Sequence, residues 1–463
     1  MRILLINPPA SVYNSPPVVP LGLAYIGAVL KNDGHAVEVV DLSLHPNSKW
    51  EASLERADLI GVTANTLTYR GAAEVLRLAK RIKPDVVTVI GGPHVTCMPE
   101  QTLRHIACDY GVLGEGEETV RDLCRVLENG GEISGVRGIV WRDRVSGAVG
   151  KTEERPLIKN LDGIPFPALD LFPPLASYST YNLPHNVNTP TGVIMTSRGC
   201  PYHCVFCYKA TFGRIWRTRS PENIVDEWER LIRVHKAEQI SILDDSFNTD
   251  PKRVIRICDL IIERGLVVPW QTPNGIHAAH VTEEMLTRMK EAGCVRVSFG
   301  VESGNPHILS TIGKQVTLEG ISRAFQLCRK VGIETCAFFI MGLPGENETT
   351  MQDTIRFARK LDPDAIAVYI ANPLPGTKFR EIVEREGTFL HKEDEFSGHY
   401  DSSPNFTLGE ITPELLLKMR RRAYLRFYLR PRYLARQILT ARFFRRLPGY
   451  FDGLKRIWHY SKR

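Results

Sequence analysis

Short apolar runs alternate with helical patterns along most of this chain, in two successive series, and that alternation restricts it to parallel α/β architecture. In the first series, Arg2–Asn7 is an apolar run ending at Pro8-Pro9, which reads as a buried strand and a turn. A helical pattern from Leu21 to Lys31 is closed by Gly34. Strands are expected over Val37–Val40, Leu59–Thr63, Val86–Ile90 and Tyr110–Leu113, with a helix over Ala72–Ile82. Gly91-Gly92-Pro93 breaks one of these strands, and Gly114-Glu115-Gly116-Glu117 opens a helix after the last. The result is a doubly wound, Rossmann-like domain, which binds ligands beyond the carboxyl ends of its strands. Asn7, Thr63, Gly91, Gly92, His94 and Gly114 are its candidate contacts. No G-x-G-x-x-G follows the first strand, which argues against a nicotinamide dinucleotide.

The second series holds six strand–helix units. Strands are expected over Gly192–Thr196, Ile240–Leu243, Trp270–Thr272, Val295–Phe299, Thr335–Met341 and Ile366–Ile370. Helical patterns alternate with them over Glu222–Val234, Arg253–Arg264, Glu284–Ala292, Leu318–Lys330 and Met351–Leu361. Six units are too few for a closed eight-stranded barrel and leave a partial (βα)6 one. Active groups in such barrels gather at the carboxyl ends of the strands. Here those ends read Asp244-Asp245-Ser246, Glu302, Gly342 within Met341–Glu346, and Asn372-Pro373.

The first strand of this series runs into Ser197-Arg-Gly-Cys-Pro-Tyr-His-Cys-Val-Phe-Cys207. Cys200, Cys204 and Cys207 have C-x3-C-x2-C spacing, and no fourth cysteine follows within reach. Structural zinc and ordinary iron–sulfur clusters each take four protein ligands. Three thiolates on one loop leave a four-iron cluster with one open position, which is what catalysis needs. The chain's other seven cysteines, Cys97, Cys108, Cys124, Cys258, Cys294, Cys328 and Cys336, show no ligand spacing and are expected as buried small hydrophobes.

Length and charge set further bounds. At 463 residues the chain has room for two or three domains. It enters a strand at once, with no signal-peptide pattern, and no apolar stretch approaches the roughly 18 residues of a membrane span, so a cytoplasmic protein is expected. The net charge of +7 is concentrated at one end: residues 411–463 hold 15 Lys or Arg against Glu414 and Asp452. The body is therefore net acidic and carries no nucleic-acid-binding face on charge grounds. The organisation expected is an α/β domain over 1–150, a Pro-rich crossing segment over 151–190, the barrel over 191–400 and a basic, aromatic, helical extension over 401–463.

From Met1 to about Thr377 the chain resembles the radical S-adenosylmethionine (SAM) superfamily, in the subgroup with an amino-terminal cobalamin-binding domain. That subgroup contains cobalamin-dependent methyltransferases and the anaerobic magnesium-protoporphyrin cyclase. The cysteine run with Arg198-Gly199 before it, the barrel after it, and the Ile164-Pro-Phe-Pro167 linker carry the likeness. The resemblance implies a 4Fe-4S cluster on Cys200, Cys204 and Cys207, with SAM chelating the open iron and Phe206 as the customary aromatic. It implies that Asp244 or Asp245 receives the SAM amino group, that Glu302 accepts the ribose hydroxyls, and that Gly342 lets backbone approach the adenine or methionine moiety.

The first domain departs from the cobalamin pattern in one place. D-x-H-x-x-G is replaced by Asn7-Pro-Pro-Ala, and Asp33-Gly-His35 is a false match at a helix end. Cobalamin without a histidine ligand, or a domain that no longer binds it, both fit. His94 either approaches the corrin or hydrogen-bonds a loop.

The activity implied is reductive cleavage of SAM to a 5′-deoxyadenosyl radical, followed by methylation of an unactivated carbon in a small-molecule or lipid-like substrate. Oxidative cyclisation or rearrangement is the alternative. A low-potential donor such as flavodoxin or ferredoxin would supply the electron. A tRNA methylthiotransferase is disfavoured, because Cys97, Cys108 and Cys124 do not sit at strand ends and the tail is helical. An electron carrier would have no use for the polar strand ends. The tail, rich in Arg, Leu, Phe, Tyr and Trp, suits either an interfacial membrane contact or a helical wrap on the barrel.

Overall fold

The computed structural model describes residues 1–9, 18–143, 146–178, 190–390 and 404–439. The chain divides into two compact units, chiefly Met1–Tyr178 with Tyr208–Arg219, and Ser179–Cys207 with the chain from Ser220 onward.

In the first unit the order is β1 (Arg2–Asn7), α1 (Leu21–Asn32), β2 (Ala36–Asp41), α2 (Glu51–Arg56), β3 (Leu59–Thr63), α3 (Tyr69–Ile82), β4 (Val87–Gly91), α4 (Pro93–Cys97), α5 (Pro99–His105), β5 (Tyr110–Val112) and α6 (Glu117–Asn129). A hairpin, β6 (Ile139–Arg142) and β7 (Val149–Lys151), completes it. The seven strands lie in the order β2-β1-β3-β4-β5-β6-β7, the first five parallel and the hairpin antiparallel. Crossovers run in opposite directions on either side of β1, so the point where ligands enter a doubly wound sheet lies between β1 and β3. Leu4, Ile6, Ile60, Val62 and Ile90 are buried in one cluster with Leu76 and Ala79 of α3.

The hairpin is an addition to the sequence reading. Its apolar run is only Ile139-Val140-Trp141, too short to announce a strand, and Gly150 is needed because a Cβ there would lie 2.4 Å from the Trp141 ring. The Pro-rich segment as far as Tyr178 does not cross between domains; it packs within this unit. Ala168 N donates to Ala24 O (3.0 Å), and Leu161, Leu169 and Leu175 are buried.

The second unit contains β8 (Thr191–Ile194), β9 (Ser197–Arg198), α7 (Pro221–Arg233), β11 (Gln239–Ile242), α8 (Pro251–Glu263), β12 (Trp270–Ile276), α9 (Glu283–Glu291), β13 (Cys294–Glu302), α10 (Pro306–Thr311), α11 (Leu318–Val331), β14 (Glu334–Met341), α12 (Glu348–Leu361), β15 (Ala365–Ile370) and α13 (Lys378–Glu386). A short strand, β10 (Arg217–Thr218), belongs to the segment that returns to the first unit. Six parallel strands pair in chain order, β8-β11-β12-β13-β14-β15, which is the partial barrel expected. Ser220, Asp250, Thr282, Thr317, Asn347 and Thr377 cap its helices through side-chain oxygens, so loop-to-helix junctions are firmly placed.

After a small antiparallel pair, β16 (Gly387–Phe389) and β17 (Phe406–Leu408), the chain ends its described course in α14 (Pro413–Tyr428) and α15 (Pro431–Leu439). The wrap reading holds for α14. It buries Leu416, Met419, Ala423 and Phe427. Its outer stripe also serves the open edge of the sheet. Tyr428 Oη accepts from Ile366 N (3.1 Å) and donates to Ile366 O (3.0 Å), while Tyr424 Oη accepts from Val368 N (3.0 Å). Four residues of helix rise about 6 Å and two residues of strand about 6.6 Å, so the tyrosines match the ladder groups of β15. An edge that would otherwise recruit another strand is closed.

Candidate active site

The cysteine loop follows β8 and is fixed by backbone contacts. Val205 N donates to Ile312 O (3.0 Å), and Phe379 N donates to Val205 O (3.0 Å). Gly313, at φ 69°, passes the His203 carbonyl so closely that a Cβ would lie 3.0 Å from it. Cys200 is buried, while Cys204, Phe206 and Cys207 are half-buried. Among the described residues, no three His, Cys, Asp or Glu side chains converge as they would on one metal ion. A cluster takes one thiolate at each corner, so three spaced thiols on a rigid loop fit it better than they fit zinc.

Lys314 was not found by sequence reading. Its Nζ lies 2.9 Å from Glu302 Oε1, and both side chains are largely buried. Burial pulls the Lys314 pKa down, but the Glu302 charge and the thiols of Cys204 and Cys207 outweigh it and raise the value. A cation therefore stands by the thiols, as an anionic cluster requires. Glu302 itself sits at φ 64°, a left-handed conformation costing a non-glycine residue about 1–3 kcal/mol. Such strain persists where the surroundings enforce it, and here the Lys314 ion pair is part of the enforcement. No sequence signal ties Lys314 to Glu302 across the intervening helix α10.

Asp244 and Asp245 separate clearly. Asp244 is 1% exposed and accepts from Thr196 N (2.6 Å), Thr196 Oγ1 and Ser197 Oγ (2.5 Å). Burial raises its pKa, against Arg253 and these donors, which lower it. Its lone pairs are used to tie β11 to the start of the cysteine loop. Asp245, by contrast, is exposed. Gly342 also has a different reason from the one expected. A Cβ there would meet Leu416 at 3.1 Å and Phe406 at 3.4 Å, so its smallness admits the carboxy-terminal packing and not a ligand. Its N–H and that of Leu343 donate to Glu346 Oε2 (2.7 and 3.0 Å), and burial pushes the Glu346 carboxyl up to about 7.

Tyr202, inside the cysteine motif, stacks on His277 with centroids 4.0 Å apart and planes 6° apart. Tyr202 Oη also bonds to His280 Nε2. The motif displayed Tyr202 openly; its histidine partners lie far off in sequence, just after β12.

In the first unit, Asn7, Thr63 and Gly91 end β1, β3 and β4 along the carboxyl edge, and Gly92 and Gly114 follow the ends of β4 and β5. Asn7 Nδ2 donates to Asp41 Oδ1 (2.8 Å) and Ser43 Oγ (3.2 Å), and Tyr178 Oη donates to Asp41 Oδ2 (2.9 Å). Gly92 adopts φ 107° with Ala64 O only 2.7 Å from a would-be Cβ, so no other residue fits this turn. His94 is 8% exposed, lies 4.1 Å from the Tyr69 ring, and contacts Thr66 Oγ1 through Nδ1 (3.4 Å). Burial lowers its pKa to about 4 and keeps it neutral. It is built as a loop-holding histidine.

Comparison with known proteins agrees with both units. The model described as the radical SAM superfamily matches residues 194–358, and that described as the B12 binding domain matches residues 15–124. An uncharacterized methyltransferase of Pyrococcus horikoshii is 36% identical over 95% of this chain and 95% of its own. The cytidylyl-2-hydroxyethylphosphonate methyltransferase of Streptomyces wedmorensis is 29% identical, covering 91% of this chain and 89% of its own. An anaerobic magnesium-protoporphyrin IX monomethyl ester cyclase of Rubrivivax gelatinosus is also 29% identical, over 91% and 77%. Among solved structures, the radical SAM methyltransferase TsrM of Kitasatospora setae, with cobalamin and a 4Fe-4S cluster bound, superposes with a TM-score of 0.70 at 23% identity, over 85% of this chain and 78% of that one.

Proposed function

The chain belongs to the radical SAM superfamily, in the branch that carries a B12-binding domain, and from this we propose that it methylates an unactivated carbon of a small-molecule or lipid-like substrate. The observation that carries the reading is the three-cysteine loop at the end of β8, fixed beside the buried Lys314–Glu302 pair. Cys200, Cys204 and Cys207 would hold a 4Fe-4S cluster through three thiolates. When bound, cluster and SAM supply hydrogen abstraction, and cobalamin supplies a transferable methyl group.

The protein's own side chains orient and screen. Lys314 offsets the negative charge of the thiolates and what they hold. Glu302 keeps one carboxylate oxygen on Lys314 and offers the other to the ribose hydroxyls. Asp245 presents a carboxylate to the SAM amino group, a charge-assisted bond, and Asp244 aligns the loop from behind. In the first unit Asn7, Thr63, Gly91, Gly92 and Gly114 at the carboxyl edge would hold the corrin. A flavodoxin or ferredoxin delivers the electron.

Anaerobic incubation with methyl-labelled SAM and a low-potential reductant tests this. Release of 5′-deoxyadenosine with label in the organic product supports it, and no 5′-deoxyadenosine rejects it. Release without label transfer, accompanied by a new unlabelled and oxidised product of an added substrate, gives the second reading, cyclisation, which the cyclase relative favours.

The basic extension is proposed to bring the enzyme to anionic membranes. Leu425 of α14, Leu434 of α15 and Leu429 between them are exposed among Arg421, Arg426 and Arg432, a mixture suited to headgroups. No helix among the described residues is long and apolar enough to cross a membrane. The rest of the extension, with Pro448-Gly449, lies outside the described residues. Truncation after Gly409 would remove the buried face of α14 and is expected to unfold the barrel. Truncation after Leu439 should spare SAM cleavage and weaken binding to anionic vesicles at low salt; a full-length chain that ignores such vesicles would leave the tail as a wrap alone.

A further inference from the structure

A histidine beside the cysteine loop is built to hold something. His277 follows β12 and is 9% exposed. Neither Nδ1 nor Nε2 has a hydrogen-bond partner among the described residues. A buried imidazole without partners forfeits hydrogen bonds it had in water, so such a group is either a defect or a contact awaiting a ligand. Three features argue that it is placed deliberately. Its backbone is locked by a reciprocal pair, His277 N to Asn248 Oδ1 (2.8 Å) and Asn248 Nδ2 to His277 O (2.9 Å), with Asn248 fully buried. Its ring lies flat on Tyr202, between Cys200 and Cys204 in sequence. Tyr202 is itself anchored by His280, whose ring centroid is 5.3 Å from that of His277. The aromatic stack fixes the plane of the imidazole and leaves its edge, with both nitrogens, for a partner.

The chemistry of that partner follows from the neighbourhood. Burial, with the nearby Lys314 charge adding to it, holds the His277 pKa near 3, so the ring is neutral. A neutral imidazole presents one donor and one acceptor, suited to a polar ligand with both functions and not to a bare anion. Lys314 also feels Cys204 and Cys207 and pairs with Glu302, so histidine, cation, carboxylate and cysteine loop share one environment.

We infer that His277 is a positioning residue for SAM, hydrogen-bonding the nucleoside part of the molecule from the end of β12 while Tyr202 ties that contact to the cysteine loop. The inference rests on the radical SAM reading above.

The test uses the full chain with its cluster reconstituted anaerobically, and reads iron and sulfide content, SAM affinity by equilibrium dialysis, and the change in the reduced cluster's paramagnetic resonance spectrum on adding SAM. His277→Phe keeps a ring on Tyr202 but removes both nitrogens. It should retain the cluster and bind SAM about tenfold more weakly, the loss of one satisfied hydrogen bond. His277→Gln, which restores a donor and an acceptor, should recover most of that loss. Wild-type affinity in His277→Phe would overturn the inference and leave the ring bonded to ordered water only. If His277→Phe loses its cluster, His277→Gln and His277→Leu decide: equal SAM affinity in these two also overturns it. Glu302→Ala separates the premises, because weakened SAM binding there with none in the histidine variants defeats this inference alone, whereas wild-type protein that binds neither cluster nor SAM defeats the reading beneath it.

Discussion

The carboxyl edges of the two sheets are furnished in opposite ways. In the first, side chains at the strand ends are answered by the protein: Asn7 by Asp41 and Ser43, Asp41 by Tyr178, His94 by Thr66 and Tyr69. The helices that follow its strands start without side-chain caps, at Pro20, Thr68, Gly92 and Gly116. In the second, the helices are capped, while the strand ends hold the Lys314–Glu302 pair and buried polar atoms of His277 and Asn372 with no partner among the described residues. One edge offers backbone and close-fitting glycine turns, which suit a broad macrocycle held by shape. The other offers charge and unspent hydrogen bonds, which suit a small zwitterionic ligand. Polar substitutions should therefore cost stability in the first unit and ligand affinity in the second.

The largest effect on this account comes from Glu302→Ala. It removes the carboxylate that pairs with Lys314 and is proposed to hold the ribose, and the loss of a hydrogen bond to a charged group is worth about 1.5–3 kcal/mol, or roughly tenfold to a hundredfold in SAM affinity. Calorimetric titration of the cluster-loaded variant checks it; unaltered SAM affinity would remove Glu302 from the site. Tyr178→Phe should act in the other way. Losing the bond to Asp41 should lower stability by about 1 kcal/mol in thermal or denaturant unfolding, with SAM affinity untouched. A shift in SAM affinity instead would blur the contrast between the edges. The smallest effect belongs to His94→Gln. With the imidazole committed to Thr66 and Tyr69, the cobalt resonance of bound cobalamin should show no nitrogen splitting in either protein. Splitting that disappears on substitution would make His94 a cobalt ligand.

Much of this was legible in the sequence, because alternating apolar runs and helical patterns define parallel α/β sheets, and because C-x3-C-x2-C states its chemistry in one loop. What escaped depended on long-range meetings. Lys314 reaches Glu302 across a helix, and His277 reaches Tyr202 across two helix–strand pairs, so neither pair leaves a local pattern. Asp244 and Asp245 are adjacent and chemically identical in sequence; only the fold buries one against Thr196 and exposes the other. Gly342 looked like a ligand-facing glycine until Leu416 and Phe406, from the carboxy-terminal extension, were seen to fill the space beside it. The extension itself read as basic and amphipathic. That its tyrosines close a sheet edge follows from matching helix rise to strand spacing, which requires knowing which strand lies at the edge.

The division of labour between the units is tested most directly by one preparation of Cys204→Ala, reconstituted anaerobically with iron, sulfide and hydroxocobalamin and assayed for bound iron, bound cobalamin and 5′-deoxyadenosine release. The account predicts that the variant loses its cluster and SAM cleavage while keeping cobalamin at the wild-type level. Full cluster content with SAM cleavage in this variant, or loss of cobalamin along with the cluster, would contradict it.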